Sequence, residues 1–592
     1  MGSIAPLFYG GSHREVVERT IDSPTPVFDI EDFPFIVGAL VMLGRIEEAE
    51  MTYLLRKNQL TPSQTVASRF FLGLGFCRHS YYKKSRGYFA ENVKARKVAA
   101  DPTSRFYRYQ GLGFYHYFEG QMKQALQSAE KSFEAALEAQ FLYGRAFAAD
   151  LKGHALVLTG QVSHGLKTLG LAEHLAEQLG ARWLRETIQS SVLSYRTQFG
   201  IEGDRSVSRL KDRLEILSKQ DIYTQSTLLL DLSLAYIREG KVNEAKEALN
   251  ECCRIAYGSK NRRHTALLNL RYAYVHHLEG EPHLALNLVR NAITQIDSSV
   301  DRALELRLRG FELNLVKHLK VEVCEKTLEG IVDNLTQTVG EAVRVRMLHR
   351  EKQIPFNDVH VGEDPLGDLW DLVHRDPSQA IEEVLKRKYY GFLPEILPVE
   401  RGGRALYLEL EPGSLTVFDK GNVEHHPDAI SRSLRSLLKE LNKGVRTKEE
   451  LIENIWKYRY HSLRHDALIY SAVAKLRKVL GIRSHWIEAS DMGYQLRTGV
   501  QVLSAPGPTV ATAVRDEEED TPEQIALNAR QQKILRFLAQ HDFIDTHTCQ
   551  NLFETSEVTA SRDLSELLKL QLVLRVGKGR ATKYSRNQGA NP

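Results

Sequence analysis

Glycine residues recur through the first half of this chain at intervals close to multiples of forty. They are Gly44, Gly120, Gly160, Gly240 and Gly280, separated by 76, 40, 80 and 40 residues. Small residues recur at fixed distances from these glycines. Five positions after the glycines are Ala49, Ala125, Gly165, Ala245 and Ala285. Seven positions before the last four glycines are Gly113, Gly153, Ser233 and Ala273. A fixed period of this length is typical of stacked repeats, in which each unit buries its apolar face only against its neighbours.

This arrangement of small residue, glycine and alanine resembles the tetratricopeptide repeat family, most closely in residues 43–49 and 239–245. In that family two helices pack so closely that only small side chains fit between them, and glycine occupies the turn. The resemblance implies seven or eight helical pairs over residues 32–343, stacked as a right-handed superhelix. Its concave face would bind a peptide or another protein. Residues 1–31 show no firm pattern, which predicts an irregular lead-in.

Aromatic and basic residues of the early repeats form the densest candidate surface for such a partner. These residues are Tyr81, Tyr82, Arg105, Tyr107, Tyr109 and Tyr115. Aromatic rings at helical spacing are more often the packed seam between helices than an exposed surface. The sequence favours the packed seam and leaves the partner surface as the alternative.

Residues 404–500 have the pattern of a winged helix. The apolar residues Ile469, Val473, Leu476 and Leu480 recur at spacings of four, three and four, which predicts one helical stripe that faces a core. Residues 486–488 and 494–496 then alternate like two strands joined by a turn. A small sheet is predicted ahead of the helices, at residues 405–423.

The same region resembles the OmpR/PhoB-type DNA-binding domain, which is also found at the front of the SARP-type regulators. Residues 447–456 match its support helix, and residues 476–481 and 492–496 match the end of its recognition helix and its wing. The resemblance implies that the recognition helix enters the major groove. The candidate DNA contacts are Arg464, Tyr470, Ser471, Lys475 and Lys478. Two residues depart from the family: Ala467 replaces an early arginine of the recognition helix, and Asp491 puts an acid at the wing tip.

Residues 521–586 predict a second winged helix. Its segment 555–564 resembles the recognition helix of the DeoR-like winged helices, which are also appended to Fic proteins. Residues 575–584 form a predicted wing with four cations and two glycines, suited to close approach to phosphate. The candidate DNA contacts are Thr559, Ser561, Arg562, Arg575, Lys578, Arg580 and Lys583. Arg562 is the candidate for a base contact, because guanidinium pairs bidentately with guanine.

Positive charge is concentrated in these two modules. The whole chain of 592 residues has a net charge of only +4, but residues 428–500 carry +6 and residues 521–592 carry +3. Nucleic acid attracts such local excesses. The predicted connecting segments are a connector at residues 344–403, with a loop at 353–368 and a helix at 378–390, a flexible acidic linker at 501–520, and a tail at 587–592. The acids at 516–520 predict a solvated tether, or alternatively a cover for a basic face.

Several function classes lack their residues in this sequence. There is no GxxxxGK[ST] motif, and no nucleophile, base and orienting group can be nominated together, so we expect no enzyme and no cofactor. His461 and His465 lie four residues apart without a third ligand, so no metal site is predicted. Five scattered cysteines without CxxC spacing indicate a reducing cytoplasm, and no early apolar run is long enough to span a membrane.

The predicted fold class is mainly α: a tetratricopeptide-like α-solenoid followed by two winged-helix (α+β) domains. The predicted function is that of a bacterial DNA-binding transcription regulator whose array senses a peptide or protein. Its partners would be double-stranded DNA and that ligand, with RNA polymerase and a second copy of the chain as further candidates. One alternative is a scaffold whose winged helices bind protein. Another is an adaptor of a phage-defence or toxin system, built from the same parts.

Overall fold

The computed structural model describes residues 3–24, 28–97, 100–217, 221–259, 261–298, 300–339, 365–409, 413–504, 529–539, 541–552, 556–569, 572–577 and 582–587. These belong to two compact units, Met1–Gly507 and Pro508–Pro592. The fold is mainly α, as predicted, with a region of helical repeats, a region with a mixed sheet and a C-terminal helix-turn-helix. Of the helices within the described ranges, none combines the length and the apolar character needed to cross a membrane.

The N-terminal segment is helical, which corrects the prediction of an irregular lead-in. It forms α1 (Ala5–Tyr9) and α2 (His13–Thr20). Phe8 is buried, with its ring 5.4 Å from that of Phe71 and 6.3 Å from that of Tyr143, both in the repeat array. Two helices this short contain too few apolar residues to show a period in the sequence. Their folding depends instead on packing against the array.

Eight antiparallel helix pairs follow between residues 33 and 339 of the described chain, within the predicted number of seven or eight; the predicted end of the array at residue 343 lies outside the described residues. The first helices of the pairs are α3 (Phe33–Met42), α5 (Pro62–Arg78), α7 (Pro102–Glu119), α9 (Leu142–Leu158), α11 (Arg182–Gln198), α13 (Ile222–Arg238), α15 (Arg262–Leu278) and α17 (Arg302–His318). The second helices are α4 (Ile46–Arg56), α6 (Tyr82–Lys94), α8 (Met122–Glu138), α10 (Val162–Gln178), α12 (Ser206–Ile216), α14 (Val242–Ser259), α16 (Pro282–Gln295) and α18 (Glu322–Val339).

Small residues let the paired helices approach closely, as the repeat pattern predicts. A Cβ atom on Gly153 of α9 would lie 2.6 Å from Cγ of Leu169 on α10, closer than real side-chain contacts. The turn glycines Gly44, Gly120, Gly160, Gly240 and Gly280 all have φ between 77° and 94°. Residues with a Cβ rarely adopt this conformation, so the left-handed backbone of these turns explains why glycine recurs there.

The array curls until its second pair meets its last pairs. The hydroxyl of Tyr82, at the start of α6, donates a 2.8 Å hydrogen bond to Asp301, just ahead of α17. Arg263 of α15 pairs with the same carboxylate at 2.8 Å, and Asn261 donates to the carbonyl oxygen of Arg78 at 2.8 Å. Asp301 is only 1% exposed, and this burial raises its pKa. These contacts close the inner face of the array around an interior cavity.

The connector contains three helices within the described residues. They are α19 (Pro365–Arg375), α20 (Pro377–Arg387) and α21 (Leu393–Ile396). The helix predicted at 378–390 is confirmed as α20, capped by Asp376, which accepts a hydrogen bond from the amide of Gln379 at 3.1 Å. Residues 365–368 were predicted as loop but begin α19, because proline is well tolerated in a first helical turn. The rest of the predicted loop lies outside the described residues.

Residues 404–504 form a winged-helix arrangement around a mixed sheet. The sheet has the order β3-β2-β1-β6, with β1 (Arg404–Leu408), β2 (Leu415–Asp419), β3 (Asn422–His426) and β6 (Val500–Ser504). Its helices are α22 (Arg432–Leu441), α23 (Lys448–Leu451), continued by a π-helical turn at Ile452–Trp456, and α24 (Ser462–Leu480). The wing is β4 (Ile487–Ser490) and β5 (Gly493–Leu496).

Strand β6 was missed by the sequence reading. It pairs in parallel with β1, from Arg404 opposite Val500 to Leu408 opposite Ser504. Residues 501–504 therefore belong to the sheet and not to the predicted linker. The remainder of that linker, with its acidic run, lies outside the described residues.

The second unit is a small helix-turn-helix with a wing. It consists of α25 (Ala529–Leu538), α26 (Thr546–Leu552), α27 (Glu557–Lys569), β7 (Val573–Val576) and β8 (Lys583–Arg586). Its core contains the buried side chains of Ile534, Ile544, Cys549, Leu564 and Tyr584. The predicted domain start at 521–528 lies outside the described residues.

Candidate nucleic-acid interfaces and ligand cavity

Helix α24 turns its apolar stripe inward and its polar side outward. Ile469, Val473, Leu476 and Leu480 are all buried in the core of this region, as the spacing predicts. The five candidate DNA contacts on the helix are all exposed; they are Arg464, Tyr470, Ser471, Lys475 and Lys478. The structure therefore brings them together on one accessible face, where they can reach a groove or a phosphate.

A side-chain network ties this face to α23. Lys448 donates hydrogen bonds of 2.6 Å to both Asp466 and the hydroxyl of Tyr470, and its Nζ lies 4.7 Å from the Tyr470 ring centroid. Tyr460 donates to the other oxygen of Asp466 at 2.6 Å. The Lys448 ammonium lowers the pKa of Asp466, and that carboxylate raises the pKa of Lys448. The hydroxyl of Tyr470 is thus already bonded within the protein, and sequence reasoning missed Lys448 and Asp466.

A capping box begins α23. The hydroxyl of Thr447 accepts from the amide of Glu450 at 3.2 Å, and the Glu450 carboxylate accepts from the amide of Thr447 at 2.8 Å. The wing beside it is pinned, because Arg446 and Tyr494 exchange two backbone hydrogen bonds of 2.8 and 2.9 Å. Asp491 is exposed at the wing tip, where an acid opposes phosphate contact.

The second unit presents two of its three predicted helix contacts to solvent. Ser561 and Arg562 are exposed on α27. Thr559 is half-buried, and its hydroxyl lies 2.8 Å from that of Ser556, which also accepts from the Thr559 amide at 3.2 Å. Thr559 therefore takes part in the N-terminal cap of α27, which is a structural role that its position in the sequence does not reveal.

The wing of the second unit carries exposed cations on both strands. Arg575 on β7 and Lys583 on β8 are exposed, and Arg575 donates to the Thr582 hydroxyl at 3.3 Å. The predicted contacts Lys578 and Arg580 lie outside the described residues. Cations on a short hairpin beside a helix are suited to bind the phosphates that flank a groove.

The six aromatic and basic candidates of the early repeats mostly agree with the favoured packed-seam interpretation and not with the alternative of a partner surface. Tyr82, Tyr107 and Tyr115 are buried, because their rings fill the seam between helices. Arg105 forms an ion pair with Glu138, and Tyr109 lies under Lys131, whose Nζ is 5.8 Å from the ring centroid. Tyr81 alone of the six is exposed. The six residues do not form one accessible surface, so the packed-seam interpretation accounts for three of them.

The array instead has a partly open cavity of about 260 Å³ on its inner face. Side chains from the first helices of seven pairs line it, those of α5, α7, α9, α11, α13, α15 and α17. The lining combines aromatic rings such as Phe114 and Trp183 with the charged groups of Arg78, Asp150 and Arg263. No sequence pattern marks these residues, because they are gathered from helices spread over more than half of the array.

The sheet of the first winged helix is joined to the turns of the array by backbone hydrogen bonds. The amide of Val423 in β3 donates to the carbonyl oxygen of Gly240 at 2.8 Å, in the turn between α13 and α14. The amide of Gly402 donates to the carbonyl oxygen of Leu278 at 2.9 Å, at the end of α15. A Cβ on Gly402 would overlap the carbonyl oxygen of Glu279, so only glycine permits this approach.

The connector makes a third attachment one repeat earlier. The hydroxyl of Tyr389 donates to the carbonyl oxygen of Gly200 at 3.3 Å, and Lys388 forms a 2.8 Å ion pair with Asp204. Gly200, Gly240 and Gly280 occupy equivalent turns forty residues apart. The connector and the sheet of the first winged helix are therefore attached to three consecutive repeats, along one edge of the array.

A short chain of contacts leads from this edge to α24. Glu424 follows the docked Val423 in β3, and it accepts a 2.8 Å hydrogen bond from Arg483, which lies just past the end of α24. Arg483 also donates to Asp419 at 2.9 Å and is buried. Hydrogen bonding from His426, and then from Arg483, lowers the pKa of Glu424 to about 2. The ion pairs fix the end of α24 to the docked sheet.

Comparison with known proteins identifies the C-terminal part. Residues 530–586 match the DeoR-like helix-turn-helix domain, which confirms the predicted resemblance there. No curated protein matches the chain. A solved Rap protein in complex with competence and sporulation factor is similar at 13% identity and a TM-score of 0.42, over 57% of this chain and 96% of that chain. That likeness is too distant to bear on function, and the OmpR/PhoB-type resemblance of residues 404–500 stays a prediction.

Proposed function

We propose that this chain is a cytoplasmic DNA-binding transcription regulator in which the helical array senses a peptide or protein and controls two DNA-reading modules. The observation that carries the proposal is the DeoR-like helix-turn-helix at residues 530–586, with Arg562 exposed on its third helix and Arg575 and Lys583 exposed on its wing. Helix residues read base edges, whereas wing cations hold the phosphate backbone.

The first winged helix supplies the link between sensing and reading. Its exposed cations Lys475 and Lys478 lie on α24, and its sheet is held by the array through Val423 and Gly402. A ligand that binds inside the array and changes the spacing of its turns would move this sheet, and α24 would follow through Arg483. Two linked modules that are each weak alone gain affinity when both sites are engaged.

The decisive experiment is fluorescence anisotropy of the full chain on random duplex DNA at low and high salt. Phosphate neutralisation predicts binding whose logarithmic affinity falls linearly with the logarithm of salt concentration, by about 0.9 per phosphate contact. Selection of bound fragments from genomic DNA then identifies an operator. Absence of salt-sensitive binding to any fragment would refute the proposal.

A scaffold that binds protein through its winged helices is the second candidate. Exposed apolar side chains favour it: Leu463 is 91% exposed, Ile482 84% and Met492 73%, all around the recognition helix and wing of the first winged helix. Such residues mark protein contacts more often than phosphate contacts. Under this alternative, Leu463→Ser abolishes capture of a protein partner, and neither the wild type nor the variant binds DNA.

A further inference from the structure

We propose, on the basis of the sensing role above, that the interior cavity binds a small zwitterionic molecule with a free ammonium and a free carboxylate, an amino acid or a dipeptide. The cavity of about 260 Å³ lies near the lower end of the range of about 300–1,000 Å³ found for small-molecule pockets, which suits a small ligand of this kind. It is too small for a folded partner. Two of the charged groups that line it define the chemistry.

Arg78 supplies the positive end of the cavity. Its guanidinium lies over two lining aromatic rings, 5.6 Å from the centroid of Trp183 and 5.4 Å from that of Tyr223. Within the described part of the chain, no carboxylate pairs with this side chain. Arg263, which lines the same cavity, differs in this respect because Asp301 neutralises it at 2.8 Å. A half-buried guanidinium held between rings is arranged to receive a carboxylate.

Asp150 supplies the negative end. It is only 4% exposed, and its Oδ1 has no hydrogen-bond donor among the described groups. The Nε2 atom of His154 lies 3.3 Å from that oxygen without hydrogen-bond geometry, and the other ring nitrogen of His154 is 2.7 Å from the hydroxyl of Tyr195. A buried carboxylate that lacks a donor is destabilising. A ligand ammonium would supply the missing donor.

Arg78 and Asp150 face one cavity and do not pair with each other. A zwitterion satisfies both at once, whereas a simple anion or cation leaves one of them uncompensated. The rings of Phe114, Phe147 and Trp183 line the same cavity and can accommodate an apolar side chain. The two charged groups therefore favour a ligand with both a free carboxylate and a free ammonium, and the aromatic lining favours an apolar side chain on that ligand.

The empty site should be less stable than an uncharged version of itself. Asp150→Asn keeps the shape and replaces a buried carboxylate, whose Oδ1 has no hydrogen-bond donor among the described groups, with a neutral amide, so it should raise the Tm of the dialysed full chain by about 2 °C or more. Asp212→Asn is the matched control, because Asp212 is exposed on α12 and outside the cavity, and it should leave Tm unchanged. A fall in Tm for Asp150→Asn would mean that the carboxylate is structural, and it would overturn the assignment.

Binding is tested by thermal shift of the full chain with twenty dipeptide pools, each with one fixed N-terminal residue and a mixed second residue. At least one pool should raise the Tm of the wild type, and N-acetylation or C-terminal amidation of that pool should weaken binding at least about tenfold. Arg78→Met should bind the free acid and the amide equally. Asp150→Asn should bind the free amine and its acetylated form equally.

Two results would overturn the proposal: no pool raises Tm, or the blocked pools bind as well as the free ones. DNA binding by the same wild-type preparation is scored separately by anisotropy. DNA binding without a dipeptide response refutes the zwitterion site alone, whereas loss of both refutes the proposed regulator as well. Asp212→Asn should match the wild type in both measurements.

Discussion

The backbone amide of Val423 donates a 2.8 Å hydrogen bond to the carbonyl oxygen of Gly240. It joins the edge strand β3 of the sheet in the first winged helix to the turn between α13 and α14 of the repeat array. The hydrogen bond from Gly402 to Leu278 attaches the same sheet one repeat further on. Because the sheet bridges two turns, we expect it to move when the spacing between those turns changes. Arg483 links the sheet to the end of α24, so we expect α24 to move with it.

The first prediction tests this docking with one substitution at two equivalent turns. Gly280→Ala places a Cβ 2.7 Å from the carbonyl oxygen of Arg401, in the segment that leads into β1. Gly44→Ala adds the same atom at a φ of 77°, where no atom lies within 4 Å. Both variants should lose about 1 kcal/mol of stability from the backbone conformation alone.

Only Gly280→Ala should also loosen the sheet. We expect faster hydrogen exchange of the amides of β1 and β3 in that variant, with an extra loss of about 1–3 kcal/mol from overpacking. Exchange in the same strands should be unchanged in Gly44→Ala. Equal exchange in the two variants would show that the docking does not restrain the sheet.

The second prediction separates base reading from phosphate binding in the C-terminal unit. Arg562→Ala should cost about 1–3 kcal/mol and relax sequence preference at one position of the site. Lys583→Ala should weaken binding to all sequences alike and reduce the slope of log affinity against log salt by about 1. Arg536→Ala, an exposed cation on α25, serves as the control. The measurement is anisotropy on the selected operator and its single-base variants.

The third prediction concerns the network around α24. Asp466→Asn removes a negative charge from α24, the proposed recognition helix, and releases Lys448 from its 2.6 Å ion pair. DNA affinity should therefore rise, and the salt slope should steepen by about 1 as Lys448 gains a phosphate. Asp428→Asn makes the same charge change on the exposed turn after β3 and should have little effect. Weaker DNA binding by Asp466→Asn would contradict this prediction. It would mean that the hydrogen bonds of Asp466 hold the DNA-contacting side chains in their binding positions.

The fourth prediction is a loss of stability in mild acid. His264 is buried in α15, and this burial, followed by repulsion from Arg263, lowers its pKa to about 3. The folded protein keeps the ring neutral, while the unfolded chain takes up a proton below its ordinary pKa of about 6.5. The contribution to stability is therefore complete above pH 6.5 and is lost progressively as the pH falls toward 3.

Urea unfolding at pH 7 and pH 5 measures this effect. His264 should account for ~2 kcal/mol of the loss at pH 5, so His264→Gln should show a smaller difference between the two pH values. His283→Gln, at an exposed position on α16, should keep the wild-type difference. If His264→Gln retains the full pH dependence, His264 titrates normally in the folded protein.

Local signals predicted the parts of this fold, and contacts between distant residues determined the rest. The glycines Gly44, Gly120, Gly160, Gly240 and Gly280 are required by the left-handed backbone at their turns, so their spacing located the array before any helix was known. Likewise, the stripe from Ile469 to Leu480 is a property of one helix. The pairing of β6 with β1 and the packing of α1 on Phe71 depend on residues far apart in the chain, and neither leaves a period in the sequence.

The candidate sites divide in the same way. Exposure of Lys475, Lys478 and Arg562 follows from helical geometry, and sequence reasoning found these residues. Tyr82 is buried, as the favoured packed-seam interpretation predicts, but the sequence could not settle this, because an aromatic ring at helical spacing gives the same pattern whether it faces solvent or a neighbouring repeat. Arg78 and Asp150 line one cavity because of how the array curls, so the sequence alone could not have predicted that they share it.

The hydrogen bond between Tyr82 and Asp301 has a consequence for how this protein could have evolved. Open solenoids lengthen by tandem duplication, since an added unit only extends one end. Here the second helix pair touches the last ones, so an extra unit between them would carry the two partners out of register and open the interior. Growth by duplication is therefore restricted to positions before Tyr82 or after Asp301, and relatives should conserve the number of units between these residues more strictly than their sequences.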